Sequence, residues 1–117
     1  MRMIRDESTN VVIVWTTLPG SEDPAAFARV LVSERLAACV TATQGVASVY
    51  RWQDAVEEAK EHHLAIKTTT ECLNRLEDRV GELHPYDLPE FLVLRAGGGS
   101  QAYLRWVNES TASSTET

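Results

Sequence analysis

Cysteine is scarce in this chain, with two thiols, Cys39 and Cys72, in 117 residues. They fall in different predicted elements and form no CxxC pair, which excludes a disulfide framework; both read as buried, inert groups of a reducing compartment. Long apolar runs are missing too. No stretch approaches the roughly 18 residues a membrane-spanning helix needs, and the opening "MRMIRDESTN" has no apolar segment of the secretory kind. No membrane contact is expected and the cytoplasm is the expected location, so the sequon "NES" at Asn108, which matters only on a secreted chain, is discounted. Basic residues are in deficit, 11 against 17 acidic ones, for a formal charge of -6, and a phosphate backbone would be repelled on average. That excludes a nucleic-acid partner. Also lacking are a nucleophile elbow, a Walker loop, a dinucleotide-binding glycine pattern and HExxH, and "GGG" at Gly97 to Gly99 belongs to no phosphate-binding motif. No catalytic residue is assigned, and the chain reads as a binding protein rather than an enzyme.

What is present is an ordinary globular balance, 44% hydrophobic and 24% charged, in a length that fits one domain spanning residues 1–117. Its core is expected over about 10–109, with "STASSTET" as a polar, disordered tail over about 110–117. "VVIVWTTL" (Val11 to Leu18) is a continuous β-branched run, the pattern of a central strand. Pro19 and Gly20 make a turn, Asp23 can cap a helix, and Pro24 suits its first position, with Phe27, Val30 and Leu31 on one face. From Cys39 to Trp52 the period moves toward two, with Gly45 marking a bulge, and "AVEEAKEHHLAIKTTT" returns as its partner strand. A second helix carries Leu73, Leu76, Val80 and Leu83 on one face and stops at Pro85. "EFLVLRA" is a fourth strand, "GGGS" a flexible connection whose Ser100 can cap, and "QAYLRWVNE" a closing helix. The order predicts an α+β, ferredoxin-like βαββαβ fold: an antiparallel sheet with two helices on one face, plus a C-terminal helix.

"QDA" is the only turn-like stretch between Cys39 and Thr68, so these residues form one long central hairpin. Arms of about 12 residues at ~3.3 Å each reach ~40 Å, whereas a compact domain of this length is roughly 35 Å across. The tip overhangs. Exposed Tyr50, Trp52 and Val56 on such a tip call for burial against another subunit.

The seven residues "HPYDLPE" (His84 to Glu90) admit two readings. As a joint, His84 ends a helix, Pro85 terminates it, and Pro89 sets an extended lead into the last strand. As a metal site, His84, Asp87 and Glu90 supply one nitrogen and two oxygen ligands suited to Cu²⁺ or Zn²⁺. His62 and His63 are strand neighbours that point to opposite faces, so they cannot share an ion; His62 is expected at a packed interface, and "EEAKE" is a solvated edge. Lys67, a lone cation in "LAIKTTT", must meet an interface carboxylate, an anionic ligand or solvent.

Taken together, "ERLAACV", "SVYRWQDAVEEAKE", "AIKT", "HPYDLPE" and "YLRWV" resemble the CutA divalent-cation-tolerance family, in order from about Val11 to Val107. The resemblance implies a subunit similar to PII signalling proteins that assembles as a homotrimer through its hairpins and is associated with copper and other divalent cations. It implies metal contact at His84 and Glu90 and an interface pocket drawing on Tyr50, Trp52, Glu61 and Lys67. Two positions depart from the family pattern: Trp15 stands where some relatives carry cysteine, and Asp54 stands for the usual glycine at the hairpin tip, which is expected to alter the turn. No cofactor is required, and Cu²⁺ or another divalent ion is the ligand expected. A PII-like sensor that binds a small anion near Lys67 and signals to a protein partner, and a structural trimer without a ligand, are the alternatives.

Overall fold

The computed structural model describes residues 3–4 and 9–112. Ten elements run in the order β1 (Met3–Ile4), β2 (Val11–Pro19), α1 (Pro24–Ser33), β3 (Cys39–Trp52), β4 (Ala55–Thr69), a 3-10 turn (Thr70–Cys72), α2 (Leu73–Leu83), β5 (Leu92–Arg95), β6 (Gly99–Ser100) and α3 (Gln101–Ser110). The four long strands form an antiparallel sheet in the order β3-β4-β2-β5, the ferredoxin-like arrangement, and β1 pairs with β6 in a separate two-stranded ribbon. "GGGS" is thus not a loose connection: Gly99 and Ser100 pair with Ile4 and Met3, and a side chain at Gly99 would press on Leu104.

Alternation along β2 sets the layers. Val12, Val14, Thr16 and Leu18 are buried, while Ile13, Trp15 and Thr17 on the other face are partly open. The buried face packs on Phe27 and Leu31 of α1 and on Leu76 and Val80 of α2, with Leu64 and Ile66 of β4 between them. Asp23 caps α1 by accepting from the Ala25 and Ala26 amides, and Pro24 takes the first helical position. At the far end Leu104 and Val107 of α3 close a small second cluster over Val11 and Ala38. Ser100 caps this helix through the Tyr103 amide. Of the stretch expected as a tail from about residue 110, residues 110–112 are described and are packed against the fold. Ser110 ends α3, Thr111 is buried with its hydroxyl on the Val107 carbonyl, and the Ala112 amide donates to Arg35 O. The remainder of that stretch lies outside the described residues.

Strands β3 and β4 pair from Cys39↔Lys67 to Trp52↔Ala55, while β2 accompanies β4 only as far as Glu61. Residues 55–60 of β4 therefore have β3 as their one strand neighbour, and the hairpin stretches the molecule to 45 × 31 × 23 Å. Val49, Tyr50, Trp52 and Val56 on this projection are 43–66% exposed. Gly45 (φ 70) forms the bulge, between Thr43 and Val46. His62 is buried inside its own chain rather than at an interface: Nδ1 accepts from the Gly45 amide, and Nε2 donates to the Gly20 carbonyl, tying the bulge to the β2–α1 turn. At the tip Gln53 (φ 50) and Asp54 (φ 66) both take the left-handed conformation of a tight two-residue turn. Asp54 adopts the geometry a glycine would supply, so the substitution strains the turn without changing its form.

Two expected outcomes follow for urea unfolding. Asp54→Gly relieves the left-handed backbone and raises stability by about 0.5–1 kcal/mol. Thr16 is fully buried and its hydroxyl has no hydrogen-bond partner among the described residues. Thr16→Val, which keeps the shape and removes the orphan hydroxyl, is expected to stabilise by about 1 kcal/mol; a destabilised variant would mean that the hydroxyl has a partner in solution.

Candidate functional site

Pro85 cannot continue α2, so the chain turns extended at His84 (φ -85, ψ 135) while the His84 amide still closes the helix on the Val80 carbonyl at 2.8 Å. The buried ring faces inward. Its Nε2 donates to the Thr17 carbonyl, its Nδ1 accepts from the Tyr86 amide at 3.1 Å, and the ring sits edge-on to Phe27. Both imidazole nitrogens are thereby used within the chain, and the imidazole acts as a joint between α2 and the β2 edge.

The loop that follows forms one wall of a cleft of about 820 Å³ whose opposite wall is the hairpin. Tyr50 and Trp52 come from alternate positions of β3, Glu61 from β4, and Tyr86, Asp87 and Glu90 from the loop. At its centre the Tyr86 hydroxyl donates to Glu61 Oε2 at 2.7 Å. Glu61 is only 5% exposed, although it sits in a strand segment that otherwise faces water. Burial, then the hydrogen bond to Glu61, then the negative charges of Glu61 and Tyr50 push the Tyr86 phenol up from 10.0 to about 12.

The sequence-predicted residues divide accordingly. Tyr50, Trp52 and Glu61 do share a pocket, together with Asp87 and Glu90. Two residues do not join them. His84 is not among the lining residues, and Lys67 lies farther along β4, where its Nζ donates to Thr41 Oγ1 at 2.9 Å and approaches Cys39 Sγ at 3.9 Å. Among the described residues no group of three or more His, Cys, Asp or Glu side chains gathers in a ligating arrangement. His84, Asp87 and Glu90 are therefore not brought together as one ligand set within the subunit. Sequence reasoning missed the role of Tyr86; the only signal was a phenol two residues beyond a helix-ending histidine, with an acidic residue on the strand it crosses. Trp15 is half open on the helix-free sheet face, paired in register with Leu92 and packed edge-on against His63 at 5.0 Å.

A split β-α-β subunit with an overhanging hairpin and an aromatic, acidic cleft beneath it is the class these features define. Within it, the chain belongs to the family described as CutA1 divalent ion tolerance protein, whose model matches residues 12–110. It is 44% identical over 99 residues to the divalent-cation tolerance protein CutA of Thermus thermophilus, covering 85% of this chain and 96% of that protein. Over 100 residues it is 40% identical to the chloroplastic protein CutA of Arabidopsis thaliana, covering 86% of this chain and spanning 55% of that relative's length. Among solved structures, the Thermus thermophilus protein superimposes with a TM-score of 0.84 at 43% identity, over 87% of this chain and 99% of that one. CutA from Synechococcus elongatus PCC7942 gives 0.86 at 34% identity, over 95% and 96%. Family and fold thus agree with the resemblance read from the sequence blocks. Among the described residues, no helix is long and apolar enough to cross a membrane.

The phenol–carboxylate pair sets a pH signature. Because the folded-state value of Tyr86 lies above the ordinary 10.0, the stability it contributes is intact below pH 10 and is lost as pH rises toward about 12. Phenolate absorbance is expected to include a late step toward pH 12, and Tyr86→Phe to remove that step. The same variant is expected to lower stability by about 1 kcal/mol, the low end for a hydrogen bond to a charged group because Tyr86 is more than a third exposed.

Proposed function

We propose that this chain acts as a homotrimeric divalent-cation-tolerance protein of the cytoplasm, binding divalent ions, copper among them, rather than turning over a substrate. The observation that carries the cation reading is that Asp87 and Glu90 line the same cleft as Glu61, though not gathered as a three-residue ligand set, in a chain of net charge -6. Carboxylate oxygens accept a divalent ion readily, and with neither the His84 imidazole nor a thiol lining the cleft the site fits loosely held, exchangeable binding better than a tight copper centre. His84 supports the reading indirectly, by fixing the loop that carries Asp87 and Glu90.

The trimer rests on a separate observation, the exposed Val49 and Val56 of the projecting hairpin together with Trp15 and Leu92 on the helix-free face. Surfaces of this kind are ordinarily covered by another copy. An anion sensor centred on Lys67 is less well supported, since that ammonium is already hydrogen-bonded to Thr41 and sits apart from the cleft.

Calorimetric titration of the full chain with Cu²⁺ and Zn²⁺ tests the cation reading. Saturable binding is expected, weakened at least about tenfold, or ~1.4 kcal/mol, when Asp87→Asn and Glu90→Gln are combined, and kept in a folded His84→Gln variant. No saturable heat with the unaltered chain would overturn it. Sedimentation equilibrium is expected to give three times the 13.0 kDa chain mass, and Val56→Asp to shift it toward the monomer.

A further inference from the structure

Among the described residues Glu61 has no ion-pair partner. It is 5% exposed, the one hydrogen bond to it there is from the Tyr86 hydroxyl, and the ion pairs join only Arg79 to Glu34 and Glu82. A buried carboxylate held by a single neutral donor is expensive to keep, and it faces a cleft rather than packed protein. The walls around it are aromatic. Tyr50 and Trp52 project from the same face of β3, and Tyr86 comes from the loop, so three ring systems of the kind that attracts cations line the cleft with the carboxylate. Asp87 and Glu90 add negative charge against the single guanidinium of Arg51. At about 820 Å³ the space suits an organic molecule, far larger than a bare ion needs.

From this we infer a ligand class: the cleft binds a small organic ammonium ion, a protonated amine. Its N–H group donates to the Glu61 carboxylate, and its carbon skeleton lies against Tyr50, Trp52 and Tyr86. This deepens the reading of the cleft as a cation site and rests on it, but it assigns the buried carboxylate and the rings to an organic cation and leaves Asp87 and Glu90 at the rim to the divalent ion. An uncharged molecule of the same shape leaves Glu61 unpaired and is rejected; a metal ion leaves the rings unused.

The test is an NMR titration of the assembled full-length protein with n-butylammonium chloride, with n-butanol and sodium chloride at matched ionic strength as controls. The Trp52 indole N–H, identified by its loss in Trp52→Phe, is expected to shift saturably with the amine and with neither control. Glu61→Gln, which still offers an oxygen to the Tyr86 hydroxyl, is expected to weaken the amine at least about tenfold, and Trp52→Leu several-fold. No saturable shift, an equal shift with butanol, or unchanged affinity in Glu61→Gln would each overturn the proposal. The two readings fail separately: saturable Cu²⁺ heats without amine binding refute only the ammonium site, and amine binding that persists without any metal heat refutes only the divalent-ion reading.

Discussion

The hydrogen bond from the His84 imidazole to the Thr17 carbonyl joins the end of α2 to the edge of β2, and the cleft depends on that junction. Thr17 pairs with His63 of β4 on one side but lies beyond the β2–β5 ladder, which ends at the Trp15↔Leu92 pair, so on the β5 side no strand partner holds the chain there. A ring with two nitrogens can satisfy a carbonyl on one side and the Tyr86 amide on the other, which an ammonium, a donor only, could not do. Once the loop is fixed, Tyr86 reaches Glu61, and the carboxylate is drawn under cover. The prolines at 85 and 89 limit the alternatives open to the loop between them.

A second histidine does comparable work at the β2–α1 turn. His62 bridges the Gly45 bulge and the Gly20 carbonyl, and Gly20 itself donates to the Lys60 carbonyl in a place where a side chain would meet backbone at 3.0 Å. The bulge breaks the β3 register so that Val46 pairs with Glu61, and from there Ser48, Tyr50 and Trp52 fall on the face of β3 that looks toward the loop. Both histidines are therefore architectural within the subunit, and each sits where a chain segment leaves the regular ladder.

Much of the fold was legible because its signals are local. Asp23 and Pro24 state a helix start, Gly45 a bulge, Pro85 a helix end, and the spacing of Leu73, Leu76, Val80 and Leu83 a buried stripe. The hairpin's length followed from the lack of any turn but "QDA". What escaped reading was set by long-range geometry. The two-residue pairing of β1 with β6 has no periodicity to detect. The direction of the His62 and His84 rings depends on carbonyls at Gly20 and Thr17, distant in sequence. In the site, Tyr50, Trp52 and Glu61 line one cleft, but Lys67 stands six residues along β4 from Glu61, too far down the strand to share it. His84 was assigned as a ligand because its residue type is a ligand; its two engaged nitrogens are visible only in three dimensions.

The central position of β2 has a consequence during synthesis. Its apolar run is made early, yet its ladder partners lie in β4 and β5, and Val11 pairs with Thr69. On the ribosome "VVIVW" therefore emerges without a neighbour to complete its backbone, and no pairing is available until the whole hairpin has followed it out. Only β3 and β4 can pair as soon as they appear, joined by their two-residue turn. The growing chain thus carries an unpaired hydrophobic strand from Pro19 until β4 has been made, and the speed with which the hairpin closes governs how long that strand is open to a chaperone or to another nascent chain.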